Sequence, residues 1–411
     1  MIQFQEFKLQ NGLTLITHVD KKTPLAVVNI LYKVGSRNER PGITGFAHLF
    51  EHLMFGGSIH VPDFDKKLQK IGAENNAFTN TDITNYYIIL GADNIETALW
   101  VESDRMQYLN LDQRNLDIQK NVVIEEFKQR YLNIPYGDVW LKLRPLAYKV
   151  HPYQWPTIGM DVKHIEQASL GNVQEFHETY YSPDNAILTI SGNIEPDRVY
   201  DLTEKWFGNI PVSTKKRHNI PEEPKQVDPR FLGIEGNAPL NAIYKAFHMP
   251  ARGDRNYIAA DLLSDLLGRG KSSRLYQSLV KESKIFNSIE SYILGTSDPG
   301  LLMISGKVNP QINILEADRY IEEELEGLKS ELNNAEVEKV VNQAESATYF
   351  SETELLERSI NLAMAKSIGN TNLVNEEIEL IRQTEKQDIL NMANRILVNS
   401  NCSTLFYKSK K

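Results

Sequence analysis

The octet "HLFEHLMF", residues 48 to 55, places His48, Glu51 and His52 in an otherwise apolar run. On a helix, side chains four residues apart project from one face, so His48 and His52 can close on a single cation with Glu51 beside them. An isolated histidine on an apolar helix is more often a packed core residue. Two imidazoles and a carboxylate together are costly to bury unless something neutralises them, and a bound cation does so. Zinc used in catalysis takes three protein ligands, commonly two histidines and a carboxylate, and leaves one position for water. The third ligand must then be an acid on another element. In "NVVIEEFKQR" an apolar turn, Val122 to Ile124, runs into Glu125 and Glu126, and either acid is a candidate. The single cysteine, Cys402, excludes an intrachain disulfide and a cysteine-held metal cluster, and no G-x-S-x-G nucleophile motif occurs.

These residues need elements to hold them. Alternating runs at 13 to 19 and 25 to 35 read as strands, and "GITGFAHLFEHLMF" has helical spacing. A helix around 63 to 71, strands in "NAFTNTDITNYYIIL", and helices over roughly 93 to 110 and 112 to 132 follow. "SLGNVQEFHETYYSPDNAILTISGNI" reads as helix, turn and strand, with Ser-Pro-Asp-Asn as the break. Residues 211 to 229 are rich in proline and charge and poor in apolar residues, the composition of an interdomain linker. The second half repeats the order: strand "LNAIYKAFHMP", helix "NYIAADLLSDLLG", strands in "IFNSIESYILG" and "GLLMISGKV", long charged helices, and a closing strand "STLFYK". A duplicated α+β unit is expected, divided as 1–210, a 211–229 linker and 230–411.

The 411 residues are enough for two ordinary cores. A net charge of −9 with no Lys/Arg block argues against a nucleic-acid partner. No run of 18 apolar residues suggests a membrane span, and the amino terminus lacks the pattern of a signal peptide, so the cytoplasm is the expected location.

His48-Leu-Phe-Glu51-His52 is the inverted zinc-peptidase signature. With "LMFGGS", "NNAFTNTDITNYY", "NVVIEEF", "HPYQWPTIG" and "YYSPDNAILTISG" in that order and spacing, the chain resembles the pitrilysin and insulinase family of zinc peptidases. The match is to the bacterial form of about 400 residues related to the mitochondrial processing peptidase, and it is densest from 8 to 210. The resemblance implies a Zn2+ cofactor held by His48, His52 and Glu126, the second acid of its pair, with Glu51 as general base for amide hydrolysis of unfolded peptides or presequence-like segments. It also implies two similar α+β domains, each a mostly antiparallel sheet of about six strands with helices on one face. Together they would enclose a cleft whose zinc wall is residues 1 to 210. A strand at "NNAFTNTDITNYY" pairs with substrate in relatives, which points to Asn76, Ala77, Phe78 and Thr79 as substrate contacts, although its Thr/Asn/Tyr content alone reads as an ordinary polar-faced strand. His151, without a partner at i+4, reads as part of a packed loop.

Two departures from the family pattern stand out. The further acid that many relatives carry seven residues before the ligand is Gln119 here. Relatives that work as single chains place an Arg and, seven residues on, a Tyr in the second domain; the matching positions are Lys281 and Ser288, with Tyr276 and Tyr292 the nearby tyrosines. The expectation is a metal-bearing subunit of a heterodimer whose homologous partner supplies that Arg/Tyr pair. The alternatives are a self-sufficient homodimeric peptidase and a non-catalytic scaffold subunit derived from the family.

Overall fold

The computed structural model describes residues 1–410. Its strands in chain order are β1 (Gln5–Lys8), β2 (Thr14–Val19), β3 (Leu25–Tyr32), β4 (Glu74–Thr79), β5 (Thr84–Gly91), β6 (Ala186–Gly192), β7 (Arg230–Gly236), β8 (Ala242–His248), β9 (Phe286–Leu294), β10 (Leu301–Val308) and β11 (Cys402–Ser409). They form a six-stranded sheet, β1-β2-β6-β3-β5-β4, and a five-stranded sheet, β7-β11-β8-β10-β9. Both are antiparallel apart from one parallel pair each, β2 with β6 and β7 with β11. The helices that bear on the site and the cores are α1 (Phe46–Leu53), α2 (Ile95–Tyr108), α3 (Gln113–Phe127), α4 (Val139–Ala147), α5 (Leu170–Tyr180), α6 (Tyr257–Gly268), α7 (Ile314–Glu331), α8 (Leu355–Ser367) and α9 (Lys386–Ile396).

The α+β class and the two sheets are as expected, but the compact units are not consecutive in sequence. One comprises Met1–Lys128, Trp155–Pro221 and Phe350–Glu376; the other comprises Gln129–Gln154, Glu222–Tyr349 and residues 377–410. The division at 211–229 therefore misassigns 129–154 and 350–376. The cause is visible in the packing of each sheet. Leu15, Leu188, Ile30 and Tyr86 stand in register on one face of the first sheet, and the Tyr86 hydroxyl donates to the Phe50 carbonyl of α1 at 3.4 Å. The alternate residues Ile16, Leu31 and Ile187 point the other way, into a cluster with Leu362 and Ala363 of α8. In the second sheet, Ile243, Phe247, Leu302 and Phe406 pack with α6, α7 and α9. Tyr244, Met303 and Leu405, on the opposite face, pack with Val139, Leu143 and Ala147 of α4.

Each sheet thus has helices on both faces rather than one, and α8 and α4, which cover the second faces, each come from the other half of the sequence. Residues 211–229 hold no helix or strand, yet they are pinned: Arg217 pairs with Asp184 at 2.8 Å, and the buried Gln226 amide donates to the Cys402 carbonyl at 2.9 Å. Among the described residues no helix is long and apolar enough to cross a membrane.

Candidate metal centre

Helix α1 has only eight residues, too few to persist without tertiary support. Its inner face, Phe46, Leu49, Phe50 and Leu53, is buried. Phe50 is sandwiched among Phe176, His177 and Tyr181, with ring centroids 5.0, 6.2 and 5.2 Å away. Beneath this layer the Glu102–Arg105 pair is fully buried, and the guanidinium lies 4.3 Å from the Tyr86 ring and 4.5 Å from the Phe64 ring. The other face of α1, carrying His48, Glu51 and His52, is half-buried.

The entry to α1 is unusual. Gly45 precedes it at φ +90°, where an added Cβ would come within 2.6 Å of the Ile158 carbonyl oxygen. Glycine is required there on both counts, conformation and space. Because glycine offers no capping side chain, the carboxylate of Glu39 does the capping, accepting from the Gly45 and Ala47 N–H groups at 2.8 Å each. Burial pushes the Glu39 carboxyl up to about 8, while those N–H groups pull it back down.

Helix α3 brings the third group. Its first turn is capped by Asp112, which accepts from the Asn115 N–H at 2.7 Å, and beyond Phe127 the chain widens into a π-helical turn, Lys128–Leu132. Glu126 Oε2 lies 3.6 Å from His48 Nε2 and 3.5 Å from His52 Nε2. The two imidazoles stand edge to face, 4.9 Å apart. Among the described residues this is the one group of three or more His, Cys, Asp or Glu whose ligand atoms converge, all within 4.8 Å of each other. Ligands tetrahedrally placed at ~2.05 Å from zinc lie about 3.3 Å apart, so the donors present fit the ion in type and spacing. Of the two adjacent acids it is Glu126 that lies beside the histidines, whereas Glu125 is exposed and paired with Lys128 at 2.7 Å.

The remaining expected residues fall as follows. Glu51 is close enough for its charge to act on the Tyr86 and Tyr181 hydroxyls, which burial, first of all, raises above their usual range. Asn76 to Thr79 lie on β4, the edge strand beside α1, which pairs with β5 on one side only. Gln119 is half-buried on α3, two turns before Glu126. His151 is a packed residue: it is buried, its Nδ1 accepts from the Tyr153 N–H at 3.1 Å, and its Nε2 faces Asp298 at 3.1 Å. Lys281 is exposed and donates to Gln277 at 3.2 Å, and Ser288 is exposed on edge strand β9 opposite Lys307. Sequence reading missed Glu39, although it is the sole acid between Asp20 and Glu51 and is followed by a glycine at the helix start.

His177 gives this layer a pH dependence. Burial holds its ring down at about 4, against a hydrogen bond to the Arg105 carbonyl that favours the charged form. A histidine depressed in the folded state contributes stability that is full above its unfolded value near 6.5 and is lost as pH falls toward 4. The loss is on the order of 3 kcal/mol. His177→Phe keeps the stack on Phe50 and removes the titration, so denaturant unfolding of this variant should be flatter than wild type between pH 6.5 and 4. Equal slopes would remove His177 from the acid limb.

Comparison with known proteins shows the family. The family model described as Insulinase (Peptidase family M16) matches residues 14–136, and that described as the Peptidase M16 inactive domain matches residues 167–344. Zinc protease PqqE of Helicobacter pylori is 31% identical over 415 residues, covering 97% of this chain and 91% of the relative. The crystal structure of a protease from Helicobacter pylori superposes with a TM-score of 0.94 at 28% identity, covering 99% of this chain and 100% of that one. A peptidase M16 inactive domain from Pseudomonas fluorescens shares the fold, with a TM-score of 0.88 at 16% identity, covering 100% of this chain and 98% of its own. The chain belongs to peptidase family M16.

Proposed function

We propose that this protein is a zinc-dependent endopeptidase that hydrolyses unfolded peptides or presequence-like segments. The observation that carries the reading is the convergence of His48, His52 and Glu126 from two helices, with Glu51 on the same short helix as both imidazoles. Zinc held by those three residues would supply a Lewis acid and bring the pKa of a water toward ~7. Glu51 would accept a proton from the water that attacks the peptide carbonyl and deliver it to the leaving amine nitrogen. No covalent enzyme intermediate is needed. The free edge of β4 offers main-chain groups to an extended peptide by strand addition, with Asn76, Ala77, Phe78 and Thr79 alongside it.

The second half of the proposal concerns a partner. Lys281 lacks the planar fork of arginine, and Ser288 lacks the reach of tyrosine. A homologous subunit supplying both would complete the chemistry, making this chain the metal-bearing half of a heterodimer. A scaffold subunit relieved of catalysis would have no need of Glu51 beside two histidines. A cytoplasmic location suits its single, buried and unpaired cysteine.

Metal analysis tests the core of the reading. The purified chain should hold about one zinc per protomer, and a His48→Ala/His52→Ala double variant should hold almost none. Full zinc occupancy in that variant would sink the assignment.

A further inference from the structure

The helix that presents His48 and His52 starts without a cap of its own, and what replaces the cap is anchored independently of it. Glu39 is 7% exposed, and its carboxyl oxygens accept from the N–H of Gly45, just before α1, and of Ala47, in its first turn. The segment behind it is tied to the body of the same unit at several points. The Glu39 N–H donates to the Ser36 carbonyl at 3.2 Å, and the Trp155 indole donates to that same carbonyl at 2.8 Å. The Tyr180 hydroxyl donates to the Asn38 carbonyl at 3.1 Å, and the Gly35 N–H is closed by the Asn38 side chain at 3.0 Å. Glu39 therefore connects a fixed loop to a two-turn helix.

The position of that grip matters for the metal. Ala47, held through its N–H, immediately precedes His48, so the carboxylate sets where the helix begins and how it is turned about its axis. The aromatic sandwich around Phe50 holds the side of α1 but is made of rings that can slide, whereas two hydrogen bonds to one carboxyl group have defined lengths and directions. Glu126 arrives on a separate helix, and its single oxygen meets both imidazoles at 3.5–3.6 Å. One residue of slippage turns a helix by about 100°, so even a fraction of that would carry Nε2 of one histidine out of reach of a shared ion.

We infer that Glu39 is a positioning residue of the metal centre: by gripping the first turn of α1 it fixes the orientation in which His48 and His52 meet Glu126. The inference rests on the zinc reading above. It predicts that Glu39 is felt in metal affinity and ligand geometry beyond its share of fold stability.

Glu39→Gln keeps the volume and one acceptor but turns the other oxygen into a donor that faces an N–H. Zinc affinity measured by chelator competition should fall about 10- to 100-fold, the range typical when a group that orients metal ligands is removed. The visible spectrum of the cobalt-substituted variant should also differ from that of cobalt-substituted wild type. Asn313→Ala is the control, because it removes the N-cap of α7 in the other unit, where Asn313 accepts from the Leu315 N–H at 2.9 Å; it should lower melting temperature while leaving zinc affinity and the cobalt spectrum unchanged. If Glu39→Gln does not fold, Glu39→Asp, charged but one methylene shorter, is measured in its place with the same expectations. Wild-type zinc affinity and an unaltered cobalt spectrum in the variant would overturn the inference and leave Glu39 as a cap for the fold alone. Absence of zinc binding by wild type would overturn it too, but there the metal reading itself fails, and the wild-type measurement shows which of the two has fallen.

Discussion

Glu51→Gln should retain its zinc and lose peptide hydrolysis by ~10²–10⁴, the usual range for a positioned general acid or base. The amide is close to isosteric with the carboxylate, and the three side chains proposed to hold the metal, His48, His52 and Glu126, are untouched by the change. What disappears is the capacity to accept a proton from water and return it to the amine. No neighbour takes over that duty. Tyr86 and Tyr181 lie near Glu51, but burial raises both hydroxyls far above neutral pH, so neither serves as a base. Metal content and turnover should therefore separate cleanly in one preparation. Turnover within a few-fold of wild type, with zinc present, would take Glu51 out of the mechanism.

The part of this site legible in the sequence was the part written in local periodicity. Two histidines at i and i+4 share a helix face whatever the rest of the fold does, and the alternation in β2, β3 and β5 follows from their having two distinct faces. What escaped was decided by partners remote in the chain. Local periodicity left Glu125 and Glu126 open, and only the family resemblance pointed to Glu126; the 100° between them on α3 turns one toward the histidines and leaves the other with Lys128. Glu39 caps a helix it does not belong to, so no N-cap pattern at Gly45 announces it. The same limit explains the domain boundaries. An apolar stripe says that α4 and α8 must bury a face, but it does not say against which sheet, and each covers the sheet formed mainly by the other half of the chain. The five-stranded second sheet likewise reflects pairing, since strand count depends on which segments meet and not on how many read as extended.

The isolated chain should be a slow peptidase that becomes efficient only when a related subunit bearing Arg and Tyr joins it. The motive is chemical. Hydrolysis of an amide develops negative charge on the carbonyl oxygen, and losing one preorganised donor to that charge typically costs ~10²–10³ in rate. Lys281 keeps a positive charge but spends one hydrogen bond on Gln277, and the Ser288 hydroxyl, on an exposed edge-strand position, is several ångströms shorter than a tyrosine would be. Zinc and Glu51 without those donors should bind peptide and turn it over poorly. The test is to purify the chain, add a homologue from the same genome that carries the Arg and Tyr but lacks H-x-x-E-H, and follow complex formation and turnover together. A rise of about two orders of magnitude on mixing is the expected result, and Lys281→Arg/Ser288→Tyr in the isolated chain should recover part of it. If the chain alone already turns over near the ~10 s⁻¹ median for enzymes, the partner is unnecessary and these two positions do not stand where the peptide binds. If neither the homologue nor the double substitution raises a low rate, the missing donors are not what limits it.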